Sequence, residues 1–144
     1  MYTCPGSGSK TVVELSAYVK SAGGSAGNIR IAVYDDTTPW GSGALVCQGT
    51  AEVSVSSTDA GWVGHTGSSN IEDSGSSTPC TLTGGNDYRL AITADSTDVE
   101  YYYATGVSGA TRYGSTERTG GFPSTIPATS TDSTRLPYIR VGVQ

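Results

Sequence analysis

Short runs in which apolar and polar residues alternate limit this chain to β-strands more than any other feature. In "TVVELSAYVK" the alternation puts Val13, Leu15, Ala17 and Val19 on one side and Val12, Glu14, Ser16 and Tyr18 on the other. A strand with one buried face requires this, because successive side chains point to opposite faces. Residues 29–34 read the same way, with Ile29, Ile31 and Val33 inward. "ALVCQG" and "TAEVSVS" read as one long strand bent at Gly49, with Ala51, Val53 and Val55 inward, since a glycine inside a strand commonly marks a bulge. "GWVGHT" is a weaker strand, "CTLT", "DYRLAITA", "VEYYYAT" and "YIRVGV" follow, and turn-forming residues punctuate the intervals. Roughly eight or nine strands without helical periodicity predict an all-β, antiparallel β-sandwich, one domain over 1–144. Residues 1–9 are expected as a flexible N-terminal segment. Residues 105–137 are expected as a long loop region, because its prolines and Gly120-Gly121 preclude a central strand.

One four-residue pattern, Arg-apolar-tiny-apolar, occurs as Arg30-Ile31-Ala32-Val33, Arg89-Leu90-Ala91-Ile92 and Arg140-Val141-Gly142-Val143. On a strand the apolar members face the core, which leaves Arg30 and Ala32, Arg89 and Ala91, and Arg140 and Gly142 on the reverse face. If the three strands are neighbours in one sheet, the tiny residues form a shallow trough beside a row of guanidinium groups. That trough could be filled by a sugar, a long loop or another chain, or covered by the arginine stems themselves. It is the candidate assembly face, and Cys4, in the N-terminal segment, is the candidate for a cross-chain disulfide, a buried free thiol being the commoner fate of such a cysteine.

Charge narrows the partners. Eight basic residues against thirteen acidic ones give a net charge of −5, and the basic residues are dispersed, so nothing here tracks a phosphate backbone and nucleic acid is not an expected partner. No apolar run has the length needed to span a bilayer, and "MYTCPGSGSK" has no apolar signal-peptide core; membrane insertion is not expected. Cys4, Cys47 and Cys80 allow at most one internal disulfide and leave one thiol over.

Catalytic chemistry lacks its parts. His65 is the only histidine, three cysteines with one histidine match no zinc pattern, and "GSGSKT" lacks the phosphate-loop spacing and precedes a strand. No enzyme activity is expected. Calcium is the one cofactor the loops suggest, through oxygens at "YDDTT" and "GGND", with Asp36 and Asp87 as the first candidate ligands. For stacking on a sugar ring, the candidates are Trp40 in the turn "TTPWGSG", Tyr102 and Tyr113, while Trp62 is expected to be buried.

"YTCPGSGSKTVVELSAYVK", "GNIRIAVYDD", "ALVCQGTAEVSV", "LTGGNDYRLAIT" and "GGFPSTIP" together resemble a group of jelly-roll modules similar to carbohydrate-binding modules, found in bacterial, phage and metagenomic surface or virion proteins. The resemblance covers almost the whole chain and implies a jelly-roll-like sandwich; it carries over no ligand residue. Two functions follow. The first is a non-catalytic structural or adhesive subunit of an extracellular fibre or virion assembly, associating with itself or a carrier protein. The second is a carbohydrate-binding module of an extracellular enzyme, with polysaccharide as partner. Either is expected outside the cell or on a virion surface.

Overall fold

The computed structural model describes residues 1–21, 27–36, 43–56, 60–96, 99–105, 111–112, 122, 124, 131–132 and 135–144. In chain order the strands are β1 (Tyr2–Thr3), β2 (Ser9–Ser21), β3 (Gly27–Asp35), β4 (Leu45–Gly49) and β5 (Val53–Val55). They continue with β6 (Ala60–Thr66), β7 (Ile71–Asp73), β8 (Thr81–Thr83), β9 (Asp87–Ala94) and β10 (Val99–Tyr101). Last come β11 (Tyr103–Thr105), β12 (Thr111–Arg112), β13 (Thr131–Asp132), β14 (Arg135–Pro137) and β15 (Ile139–Val143). One 3-10 turn, Ser68–Asn70, precedes β7. Among the described residues no helix is long and apolar enough to cross a membrane.

Two antiparallel sheets pack face to face, so the expected all-β sandwich is what the chain forms. The first sheet runs β1-β9-β3-β4-β7, with β5 beside β3. The second is built on β2, which pairs β15, β10, β6 and β8. Because β6 shares β2 residues with both β15 and β10, the last two lie along one margin of β2 and β6 along the other. The core between the sheets holds Val12, Leu15, Val19, Ile29, Ile31, Val33, Val55, Ile71 and Leu82, all essentially without solvent contact. Each such side chain contributes about 1.5 to 3 kcal/mol of transfer free energy.

The finer expectations fare unevenly. Ile29, Ile31 and Val33 are buried, and Leu90, Ile92, Ile139, Val141 and Val143 pack against the core, so the register of all three arginine strands is correct. The three strands do not share a sheet, however. β3 and β9 are neighbours with Ala32 opposite Ala91, whereas β15 belongs to the second sheet. Sequence alone carries the face of a strand but not its partner. Along β2 the expected phase holds only from Leu15 onward. Successive β15 residues Gly142 and Val143 oppose Glu14 and Val12, so Val13 is an extra, bulged residue; Val12 is fully buried and Val13 only partly so.

β4 and β5 both run beside β3, as a bent strand would, but the break falls at 50–52 and leaves Ala51 exposed instead of inward. The segment 1–9, expected as flexible, is tied down: Tyr2 and Thr3 pair with Tyr88 and Asp87, and Cys4 is buried in the core. Within 105–137 the described residues form short ladders, β11 with β14 and β12 with β13.

Candidate functional site

The outward face of the second sheet carries the most chemistry. From Glu14 to Lys20 the even-numbered residues of β2 point outward, because the odd-numbered ones fill the core. Trp62 on β6 is opposite Tyr18, Gly64 and Arg140 flank Ser16, and Gly142 is opposite Glu14. Trp62 and Tyr102 both meet the Tyr18 ring at right angles, at centroid separations of 5.6 and 4.9 Å. Trp62, Tyr102 and Tyr138 are 43%, 41% and 49% exposed. For large aromatic rings that is much apolar surface left in water, whereas Tyr34 and Tyr88 are buried.

The backbone beneath them explains why these tyrosines meet. Tyr18 N–H donates to the Tyr138 carbonyl at 2.9 Å, Tyr138 N–H to the Tyr102 carbonyl at 2.9 Å, and Tyr102 N–H to the Tyr18 carbonyl at 3.1 Å. β10 and β15, which both pair with β2, leave it at this closed ring of bonds, and beyond it their chain neighbours β11 and β14 pair with each other. A point where three strands converge thus fixes three aromatic side chains on one surface.

Next to the rings lies a polar corner. Arg140 Nε donates to Glu14 Oε1 at 2.7 Å and to Ser16 Oγ at 3.0 Å, and its Nη2 also bonds Glu14 Oε1. Ser16 Oγ donates to the same carboxylate at 2.7 Å. The guanidinium carbon lies 4.5 Å from the Trp62 ring centroid, a cation–π contact. Burial pushes the Glu14 carboxyl up, but the Ser16 and Arg140 hydrogen bonds and the Arg140 charge outweigh it and hold Glu14 below its ordinary value. Space for this comes from glycine. A Cβ on Gly64 would lie 2.1 Å from the Leu15 carbonyl oxygen, and one on Gly142 would lie 3.0 Å from Glu14 Cβ. Lys20 and Glu100 pair at 3.0 Å farther along the same face.

Of the residues the sequence singles out, Tyr102, Arg140 and Gly142 come together here; Trp40 and Tyr113 lie outside the described residues. Trp62, expected inside, is a correction. "GWVGHT" alternates equally well in either phase, and its true phase is set by Val63 and His65 opposing the core residues Ala17 and Leu15 of β2. Tyr18 and Tyr138 were missed because their company depends on the strand junction; the only signal was Tyr18 on the polar side of an alternating strand.

The reverse face of the first sheet is not an open trough. Ala32, Tyr34 and Leu45 form a second buried cluster, completed by Ala91 and Phe122. Phe122 N–H donates to Gln48 Oε1 at 3.2 Å, and Leu45 N–H to the Ser124 carbonyl at 2.8 Å. Phe122 and Ser124 therefore occupy part of this face. Arg89 forms a largely buried ion pair with Asp36, and Arg30 is half-buried with Nε lacking a hydrogen-bond partner among the described residues. Asp36 N–H donates to the Asp87 carbonyl at 3.3 Å, so the two calcium candidates are neighbours. Their carboxylates, however, are engaged by Arg89 and by the Thr3 hydroxyl. Among the described residues no three metal-ligating side chains converge. Cys47 and Cys80 form a disulfide and Cys4 is a buried thiol; it is not placed for a cross-chain bond. His65 is buried against Gly49, whose Cβ, if present, would lie 2.0 Å from His65 Nε2.

In comparisons with protein-family models, curated proteins and solved structures, nothing matches this chain.

Proposed function

We propose that this chain is a non-catalytic, jelly-roll-like glycan-binding module of an extracellular or particle-surface protein, and that the outer face of its second sheet is the binding surface. The observation that carries the reading is the pair of exposed rings Trp62 and Tyr102, both packed on the partly buried Tyr18, with the exposed Tyr138 beside them, on a β-sheet surface. Aromatic rings bind the C–H face of a pyranose by dispersion and desolvation, and neighbouring carboxylate, hydroxyl and guanidinium groups can bond its hydroxyls. The disulfide favours an oxidising compartment. A non-catalytic role is favoured because His65 lies in the core, away from this face.

The experiment is retention on insoluble and soluble polysaccharides. Trp62→Ala and Tyr102→Ala should each weaken retention by on the order of tenfold or more, as loss of an exposed stacking contact does. Thermal unfolding should move by only a few degrees, because neither ring fills the core. Retention unchanged in both variants would overturn this surface as the site.

The structural or adhesive fibre or virion subunit stands second. Two of its supports, the tiny-residue trough and Cys4, are used inside the chain, covered by Phe122 and buried in the core. What still favours it is the same exposed aromatic face, which a second copy could cover. Sedimentation at micromolar concentration separates the readings, since association lost on Trp62→Ala would favour assembly.

A further inference from the structure

On this face the described charges come in pairs. Arg140 is held by Glu14 and Ser16, and Lys20 by Glu100. An arginine recognises an anionic sugar by turning its planar fork of donors to a carboxylate or sulfate. Here Nε and Nη2 are already turned to Glu14 Oε1, and the guanidinium lies over the Trp62 ring. To take the Nε and Nη2 fork an acidic glycan would have to displace Glu14, and at the remaining Nη1 donors it would meet the like charge of that carboxylate, on a chain whose net charge is already −5. A neutral glycan needs no counter-charge; its hydroxyls can bond the carboxylates while its C–H faces lie on the rings.

We infer that the face takes neutral polysaccharide, and that Glu14 sets this selectivity by holding Arg140 against Trp62 and away from anionic ligands. The inference rests on the glycan-binding reading. Glu14 acts here as a positioning residue. Gly142 opens the space it occupies, and Ser16, itself buried, completes the clamp on Arg140 Nε.

The test is affinity electrophoresis of the whole chain in native gels containing either a neutral β-glucan or alginate, at low and high sodium chloride. The wild-type chain should be retarded by β-glucan, independently of salt, and pass alginate unhindered. Glu14→Gln removes the charge that restrains Arg140 and should gain alginate retardation on the order of tenfold, the worth of one charge-assisted hydrogen bond. Salt should abolish that gain through screening. Arg140→Gln in the Glu14→Gln background should abolish it too. Should Glu14→Gln not fold, Ser16→Ala removes the second anchor of Arg140 and should shift selectivity the same way by a smaller factor. Wild type retarded more by alginate than by β-glucan, or folded Glu14→Gln with unaltered selectivity, overturns the inference and leaves glycan binding standing. Wild type retarded by no neutral or acidic polysaccharide overturns both.

Discussion

His65 occupies a core position that an apolar residue would ordinarily fill, opposite Leu15 and over the bare Cα of Gly49. Its Nε2 is buried with no hydrogen-bond partner among the described residues. Burial, with the Arg30 charge adding to it, holds the imidazole below its ordinary value of 6.5. The sign follows directly. The unfolded chain takes up a proton near 6.5, whereas the folded chain resists until a lower pH, so the stability tied to neutral His65 is complete above 6.5 and is lost as pH falls toward the folded value. Urea unfolding between pH 7.5 and 5 should reveal a decline in stability as pH falls below 6.5, no steeper for this one group than the one-proton limit of about 1.4 kcal/mol per pH unit. His65→Gln should flatten the part of the curve nearest 6.5; an unaltered slope would mean that another group carries the acid sensitivity. The residue type was legible in the sequence, but its burial was not, because "GWVGHT" offers a polar residue to either face.

Single strands were the most legible elements, and their associations the least. The apolar faces of β3, β9 and β15 follow from local alternation, which any strand partner would satisfy equally. Sheet membership depends on pairings far apart in the chain, so the expected trough split: Ala32 and Ala91 meet, and Gly142 serves the other sheet. The bulge at Val13 inverted one end of β2 for the same reason, since only the opposing strand reveals an extra residue. Phe122 was invisible as a packing residue because no periodic pattern surrounds it; it is edge-on to Tyr34 at 6.3 Å, against the smaller buried cluster on the reverse face of the first sheet. Its ring packs on the reverse face of the first sheet, beside Ala32, Tyr34, Leu45 and Ala91. Phe122→Ala should therefore cost about 1 to 2 kcal/mol, less than a fully buried phenylalanine because the ring is only partly covered. Denaturant unfolding should register the loss as a lower midpoint with the slope unchanged. A variant as stable as wild type would mean that this contact contributes nothing to the fold.

The sandwich is held together by more than its apolar interior, because one covalent link crosses between sheets. Cys47 lies on β4 in the first sheet, and Cys80 immediately precedes β8, which pairs with β2 in the second. Cys80 also links the sheets through its backbone, its N–H donating to the Ile71 carbonyl at 3.2 Å and its carbonyl accepting from Val12 at 3.0 Å. The bridge closes a span of 33 residues, for which loss of chain entropy in the unfolded state gives about 3 to 4 kcal/mol. Reduction should lower the unfolding midpoint by an amount equivalent to that figure, and Cys47→Ala/Cys80→Ala should reproduce it. The aromatic face should survive reduction below the lowered midpoint. Its strands are registered by β2 pairing with β6, β10 and β15, and its tyrosines by their own ring of backbone bonds, none of which the bridge maintains. Polysaccharide retention measured with and without reductant at 10 °C, beside a calorimetric scan of each sample, separates the two roles. A lowered midpoint with retention intact is the expected result, whereas retention lost in a sample still folded would mean that the link between sheets also shapes the binding face.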